Sequence, residues 1–539
     1  MDCSSGALPY VAATPGECVP AAGMHHMRPG SRVVTSPIHL VSDCAAYRRE
    51  ASEWTYQRAN RIIAGTHNRI TNSMDRKYDA IVIGGGQAGP SLAARFAGAG
   101  KSVAIIERHF FGGTCVNAGC TPTKTLIASA RIAYDARRAH DYGIELRTAG
   151  VVVDMGSVHA RKERIVGASR TGLENWIRGM QNCTVYKGHA KFESARSVSV
   201  DGQLLTSEQI FINVGGRPRI PAFPGIDNVA FLTSTSLLDL EELPAHLIIV
   251  GGSYVGLEFA QMYRRFGSDV TVIEKAPRLL SHEDLEVAAE IQAALEAEGI
   301  QIRLGAECIE LARDAKSVTA NVHCSEGSPQ VTGSHVLVAV GRMPNTDDLG
   351  LEKAGVETDH AGFIKVDDEL RTNVSGIWAL GDCNGKGAFT HTAYNDYEIV
   401  AANLFDGTLR RRVSDRIFCY ALFVDPPLGR VGLTERDAIA QGHAIRIGSR
   451  LMTRVARAVE KGETRGLMKV VVDARSNLIL GASILGVGAD EAIHSIIDVM
   501  AAKVPYTTLR NTVHIHPTVS ELIPTVLGEL GQTRSQSVS

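Results

Sequence analysis

From Tyr78 onward the chain alternates short apolar runs, glycine turns and stretches of helical period, which is an α/β pattern. Ala80–Ile83 reads as a strand that ends in Gly84-Gly85-Gly86-Gln87-Ala88-Gly89, and a helix is predicted through Phe96. Val103–Glu107 is the next strand and closes on an acid. The same pattern returns later. Leu247–Val250 runs into Gly251-Gly252-Ser253-Tyr254-Val255-Gly256, then a helix, then Val270–Glu274. Glu107 stands 23 residues after Gly84, and Glu274 stands 23 after Gly251. Two equally spaced copies predict two nucleotide-binding βαβ units. From about Ile417 the pattern becomes α+β without a nucleotide motif. Leu467–Val472 and Ile479–Leu485 read as β-branched strands, and Asp490–Lys503 has helical spacing at Ile493, Ile496, Ile497 and Met500. The tail after Glu529 is polar and expected to be frayed.

Residues 1–73 show no sustained period, and no basic segment followed by an apolar one marks a signal peptide. They are expected to be a disordered extension, or else Met74 is the true start. The 539 residues are too many for one core and suggest about three to four domains. An apolar content of 44% is that of an ordinary globular protein. The net charge of -2 gives no general field for nucleic acid or acidic membranes. No apolar run reaches the roughly 18–20 residues needed to span a bilayer. Ten cysteines scattered over this length are not a disulfide scaffold, and a reducing cytoplasm fits them. No metal site is read.

The chemistry lies in the loops. Gly84 suits a tight turn, Gly86 a close approach to pyrophosphate, and Gly89 close packing of helix on strand. Glu107 is placed to accept hydrogen bonds from an adenosine ribose. In the second loop Ser253 replaces the middle glycine between Gly251 and Gly256. Glu274 would bond a ribose 2′-OH and repel a 2′-phosphate, which favours NADH over NADPH, although Lys275 and Arg278 lie close by.

Only Cys115 and Cys120 are closely spaced, in Gly112-Gly113-Thr114-Cys115-Val116-Asn117-Ala118-Gly119-Cys120. In a regular helix their Cα atoms would be roughly 8–9 Å apart, beyond the ~4.4–6.8 Å of a disulfide. A bridge therefore needs a distorted helix entry, which Gly112, Gly113 and Gly119 ease. Strained, accessible bridges are the labile kind that serve catalysis. A helix N-terminus here would lower a thiolate pKa. Near the C-terminus, His514-Ile515-His516-Pro517-Thr518-Val519-Ser520-Glu521 offers a histidine suited to proton transfer and a glutamate to orient it.

Together GGTCVNAGCTPTK, VGRMPN (340–345), ALGDCNG (379–385) and HIHPTVSE resemble the FAD-dependent pyridine nucleotide–disulfide oxidoreductases over about residues 77–530. That family includes dihydrolipoamide dehydrogenase, glutathione reductase, mercuric reductase and copper-reducing stress flavoenzymes. The resemblance implies two Rossmann-like domains and a C-terminal α+β interface domain. FAD would occupy a split domain of 77–220 and 345–416, with NAD(P)H on 221–344. Residues 417–530 would form a dimer interface, and 531–539 a flexible tail. It further implies that Gly215, Gly381 and Asp382 meet FAD, Asp382 at the ribityl chain, and that Gly341 meets the nicotinamide nucleotide. Cys120 matches the thiol that contacts the flavin, and Cys115 the interchange thiol that attacks substrate. Lys124 and Glu258 match a pair that tunes the flavin. His516 matches the base and Glu521 its partner; in the family both come from the opposite subunit.

The implied activity is transfer of electrons from NAD(P)H through FAD and a redox-active disulfide to a disulfide, a dithiol or a soft metal ion held by thiolates. Mercuric reductase, copper reductase and dihydrolipoyl dehydrogenase are the alternatives inside the family. An NADH oxidase or quinone reductase with spectator cysteines is the alternative outside it. The last cysteine is Cys419, so the C-terminal cysteine pair usual in mercuric reductases is missing; Thr121-Pro122-Thr123 and ALFVDPPLGRVGLTE (421–435) nonetheless resemble that branch.

Overall fold

The computed structural model describes residues 76–146, 150–314, 317–323, 329–407 and 409–535. The expectation for residues 1–73 lies outside them.

Strand Ala80–Ile83 (β1) is buried throughout, followed by helix Ala88–Gly98 (α1) and strand Val103–Glu107 (β2). Alternation sends Ile81, Ile83, Ala104 and Ile106 into one apolar cluster and Ala80, Val82, Val103 and Ile105 into another, which Leu92 and Phe96 of α1 cover. Both faces are packed, as a parallel sheet requires. Two helices follow, Gly113–Ala118 (α2) and Cys120–Arg137 (α3). The sheet continues with Cys183–Lys187 (β3) and Ile210–Ile212 (β4).

The chain then leaves through Gly216–Pro218 (β5) and builds a second unit. This comprises His246–Val250 (β6), Tyr254–Phe266 (α4), Asp269–Ile273 (β7), Gln301–Arg303 (β8) and His335–Val338 (β9). It returns through Arg342–Pro344 (β10), which pairs antiparallel with β5, and strand Ile377–Ala379 (β11) rejoins the first sheet. The first sheet is ordered β11-β4-β1-β2-β3 and the second β8-β7-β6-β9, all parallel. In each, the strand order reverses beside the central strand, β1 or β6. Open α/β sheets bind ligands at the carboxyl end of the strands at such a point, and both glycine loops stand there.

Helix Thr390–Ala401 (α5) leads to an antiparallel sheet. Its strands are Cys419–Leu422 (β12), Leu428–Gly432 (β13), Ile445–Leu451 (β14), Leu467–Asp473 (β15) and Ile479–Leu485 (β16), ordered β12-β13-β16-β15-β14. The helix predicted over Asp490–Lys503 is two pieces, Ala489–Ala492 (α6) and His494–Ala501 (α7). Ile493 between them keeps a helical backbone, so the apolar spacing still lands Ile493 and Ile496 in the core. The tail differs from expectation. Gly531 N–H donates to Ile447 O at 2.9 Å, and Arg534 exchanges two 2.8 Å backbone bonds with Ile445. Arg534 also pairs with Glu435 at 2.7 Å, so the chain is held to the edge of β14 as far as Arg534. Residues 536–539 lie outside the description. Among the described residues, no helix is long and apolar enough to cross a membrane.

Candidate active site

The two glycine loops repeat each other nearly atom for atom. Gly84 N–H donates to Ile106 O and Gly251 N–H to Ile273 O, each at 2.8 Å. Their φ angles are +107° and +120°, and a Cβ would fall 2.2 Å from Asn213 O in one and 2.4 Å from Ala339 O in the other. Only glycine fits either turn. A Cβ on Gly89 would meet Gly84 O at 2.2 Å, and one on Gly256 would meet Gly251 O at 2.0 Å, so each helix starts directly on its loop. Glu107 accepts from Gly85 N and His109 N, both at 2.7 Å. Glu274 accepts from Gly252 N at 2.6 Å and Ala276 N at 2.7 Å. Both acids thus brace their loop from the strand tip.

Asn213, which the sequence reading did not single out, gathers the first site. Its side chain lies 3.3 Å from where a Cβ on Gly86 would stand, 3.0 Å from one on Gly89 and 3.2 Å from one on Gly381. Next to Gly381, the half-buried Asp382 faces Arg342 at 3.7 Å; burial raises its carboxyl pKa and Arg342 opposes this. Arg342 also donates to Gly216 O at 2.5 Å and Thr114 Oγ1 at 3.3 Å, which ties VGRMPN to the cysteine segment. Gly215 and Gly341 have left-handed backbones, with φ of +64° and +115°, and open space where a Cβ would point.

The distortion expected between the cysteines falls at Gly119. Helix α2 ends at Ala118, Gly119 breaks the path, and α3 starts at Cys120. A Cβ on Gly119 would be 2.9 Å from Thr114 O, so the two helices meet too closely for any side chain there. The break brings the sulfurs within hydrogen-bonding reach of each other, and in this structure both are free thiols. The pair is asymmetric. The hydrogen bond from Cys115 is the largest influence on Cys120. Desolvation opposes it, and the Thr390 hydroxyl and the Lys124 charge add to it, so the Cys120 thiol is lowered to about 6. Cys115 is pushed up, first by holding that shared proton and then by burial. Cys115 is half-buried, whereas Cys120 is exposed.

Lys124, one turn along α3 from Cys120, pairs with Glu258 of α4 at 2.6 Å. Glu258, with only 6% of its side chain exposed, also accepts from Phe423 N at 3.0 Å, and the Lys124 ammonium lies 4.6 Å from the Phe423 ring centre. Thr390 Oγ1 lies 3.2 Å from Cys120 Sγ. The sequence reading missed Thr390, because the hydroxyl belongs to none of the four motifs and lies 270 residues from its sulfur. His516 and Glu521 come together as read, with Nδ1 2.8 Å from Oε2. Glu521 is largely buried, but the His516 ring is 75% exposed and hydrogen-bonds to no residue of the cysteine site in its own chain.

With this geometry in place, comparison with known proteins is direct. The model for the pyridine nucleotide-disulphide oxidoreductases matches residues 78–396, and that for their dimerisation domain matches 419–527. RclA of Escherichia coli K12, named a probable pyridine nucleotide-disulfide oxidoreductase, is 37% identical over 453 residues, 83% of this chain and 97% of RclA. Dihydrolipoyl dehydrogenase of Bacillus subtilis is 33% identical over 468 residues, 84% and 97% of the two chains. Mercuric reductase of Streptomyces lividans is 33% identical over 452 residues, 83% and 94% of the two. The chain therefore belongs to the pyridine nucleotide-disulphide oxidoreductase family, whose enzymes use FAD and NAD(P)H, and its dimerisation domain implies a homodimer. Among solved structures it is similar to the Cu(II) complex of the HOCl-induced flavoprotein disulfide reductase RclA from E. coli. The TM-score is 0.76 at 36% identity, over 84% of this chain and 99% of that one.

Proposed function

We propose that this enzyme is an NADH-dependent flavoprotein that reduces a small disulfide through Cys115 and Cys120. The observation that carries the reading is the unequal thiol pair, with Cys120 poised as thiolate and Cys115 keeping the proton. Residues 77–220 and 345–416 would hold FAD, 221–344 NADH, and 417–530 the dimer contact. Each glycine loop fits a dinucleotide, because Gly84, Gly86 and Gly89 in one and Gly251, Gly252 and Gly256 in the other keep side-chain bulk off the turn into the helix, and a carboxylate stands at the next strand tip. Gly215, Gly381 and Asp382 line the first site, and Gly341 and Ser253 the second. When bound, the two cofactors supply the electron pair that opens the Cys115–Cys120 bridge.

Cys115, relieved of its proton by His516 of the partner subunit, attacks one sulfur of the substrate. That sulfur joins Cys115, and the other leaves as a thiolate that takes the proton back. The Cys120 thiolate then attacks Cys115, expelling the second substrate sulfur as a thiolate that takes its proton from solvent, and the protein disulfide re-forms. Two electrons and two protons have converted one disulfide into two thiols. Glu521 orients the imidazole and stabilises its charged form. Lys124, fixed by Glu258, holds positive charge beside Cys120.

The NADH preference is supported by Glu274, which stands at the tip of β7, and by Arg278, which is turned onto Ser281 O at 2.6 Å. A reducing compartment such as the cytoplasm suits a dithiol that must be opened at each turnover. A soft metal ion delivered as a thiolate complex is a second reading, favoured by the likeness to RclA and mercuric reductase. Purified enzyme assayed on lipoamide, glutathione disulfide, Hg(II), Cu(II) and quinone with each nicotinamide cofactor tests the proposal. Disulfide turnover should exceed the others, favour NADH, and fall by roughly 10³-fold or more in Cys115→Ser, the nucleophile being essential. Full quinone turnover in Cys120→Ser would instead identify a quinone reductase.

A further inference from the structure

A reacting sulfur needs its charge held, and the motifs account for only part of what holds Cys120. Its surroundings come from four elements. Cys115 of α2 offers a thiol proton, Lys124 of α3 a positive charge, and Glu258 of α4 an opposing negative charge. Tyr254, also on α4, is a phenol whose own pKa is raised first by burial and partly by the Cys120 charge, so it stays neutral. The fourth element is α5, whose first residue is Thr390.

Thr390 is unusual among these neighbours in having a donor with no helical competitor. A threonine hydroxyl inside a helix commonly donates to the carbonyl three or four residues back. At the first position of α5 there is no preceding turn to receive it. The hydroxyl has Cys120 Sγ at 3.2 Å instead. Its position is set by rigid neighbours. Phe389 stacks on Tyr420 with ring centres 5.5 Å apart and planes at 7°, and it packs against Tyr254 at 5.8 Å. Phe389 N–H donates to Thr392 Oγ1 at 3.1 Å, while that hydroxyl donates back to Phe389 O at 2.7 Å. The start of α5 is thus clamped, and the Thr390 hydroxyl is presented to the sulfur rather than left to find it.

We propose that Thr390 is a functional residue of the dithiol site, its hydroxyl donating a hydrogen bond to the Cys120 thiolate and so setting the pH above which the pair is ready to react. The proposal deepens the functional reading above and rests on its assignment of Cys120 as the charged thiol. Cys115 cannot fill this role throughout the cycle. It gives up its proton when it attacks substrate, and in the mixed disulfide it has none to offer. Thr390 retains its donor through that step, when the Cys120 thiolate must survive until it closes the bridge.

The test uses the reduced FAD-loaded dimer with Thr390→Val, which keeps shape and loses the hydroxyl, and Thr390→Ser, which restores it. Two readouts are taken against pH: the long-wavelength absorbance of thiolate against flavin, and the rate of iodoacetamide alkylation at Cys120 from peptide mass spectrometry. Hydrogen bonds to charged groups are worth enough that Thr390→Val should move both midpoints up by about one pH unit, a tenfold loss of thiolate at pH well below the old midpoint, with Thr390→Ser near wild type. Alkylation midpoints that coincide in wild type and Thr390→Val overturn the proposal. If Thr390→Val fails to load FAD, alkylation is read on apoprotein of both forms, and coincident midpoints overturn it there too. An alkylation midpoint that shifts while the absorbance is missing from every form upholds Thr390 and refutes the placement of Cys120 against the flavin.

Discussion

The Cys120 sulfur carries charge at a pH where an ordinary thiol does not, and this has consequences for stability as well as reactivity. A group whose pKa is depressed on folding stabilises the fold above its unfolded value and loses that stabilisation as pH falls toward its folded value. For reduced Cys120 the contribution is full above the ordinary thiol range, shrinks as pH falls, and is gone below about 6. Denaturant titrations of reduced wild type and Cys120→Ser should therefore converge as pH is lowered from 9 to 6. Lys124 makes a second residue-scale case. Lys124→Met leaves the buried Glu258 carboxylate with the Phe423 amide alone. Because Lys124 is one-third exposed, the cost should be about 2 kcal/mol rather than the full penalty of a broken buried pair, as measured by denaturant midpoint. The cysteines, Lys124 and His516–Glu521 were legible as residues because each sits inside a motif, whereas Glu258, 134 residues from Lys124, was reached only through the family resemblance. Asn213 and Thr390 were not legible, because nothing local distinguishes an asparagine after a short strand or a threonine opening a helix.

Among elements, the α2–α3 junction shows what a sequence pattern can and cannot say. That two cysteines five apart need a broken helix follows from helix geometry alone. That the break is Gly119, rather than Gly112 or Gly113, depends on the approach of Thr114 O, which only the folded chain shows. Gly119→Ala should force the junction open, destabilise the protein by about 1–3 kcal/mol, and lower the yield of the Cys115–Cys120 disulfide on mild oxidation. Thiol counting with Ellman's reagent after oxidation measures the second effect, and an unchanged yield would show that the helices separate without cost. The paired glycine loops were legible for a similar reason, since their spacing is fixed by one strand, one helix and one strand. The hold on the tail at the edge of β14 was not legible. The polar residues after Glu529 carry no apolar period, and their pairing is made by backbone groups that every sequence possesses.

For the whole molecule the question is where the base comes from. Within one chain, His516 is held by Glu521 but left 75% exposed, and the flanking Val513 and Ile515 are 95% and 79% exposed. Two apolar side chains standing open beside a histidine, inside a segment matched by the family's dimerisation domain, are what an uncovered interface looks like. If the partner subunit supplies His516, each dimer has two sites, and each site draws its cysteines from one chain and its histidine from the other. His516→Ala should then lower disulfide turnover by roughly 10²–10⁴-fold, the usual worth of a general acid–base, with a changed pH profile. Cys115→Ser should be as inactive for a different reason. A heterodimer of the two variants, isolated with two different affinity tags, separates the arrangements. Across a two-fold interface, one of its sites combines both lesions and the other combines neither, so it should regain about half the wild-type turnover. If the site were complete within each chain, both sites would stay broken and the heterodimer would be as inactive as its parents. Recovery near half would place the proton transfer across the subunit boundary, and its absence would place the histidine's action within its own chain.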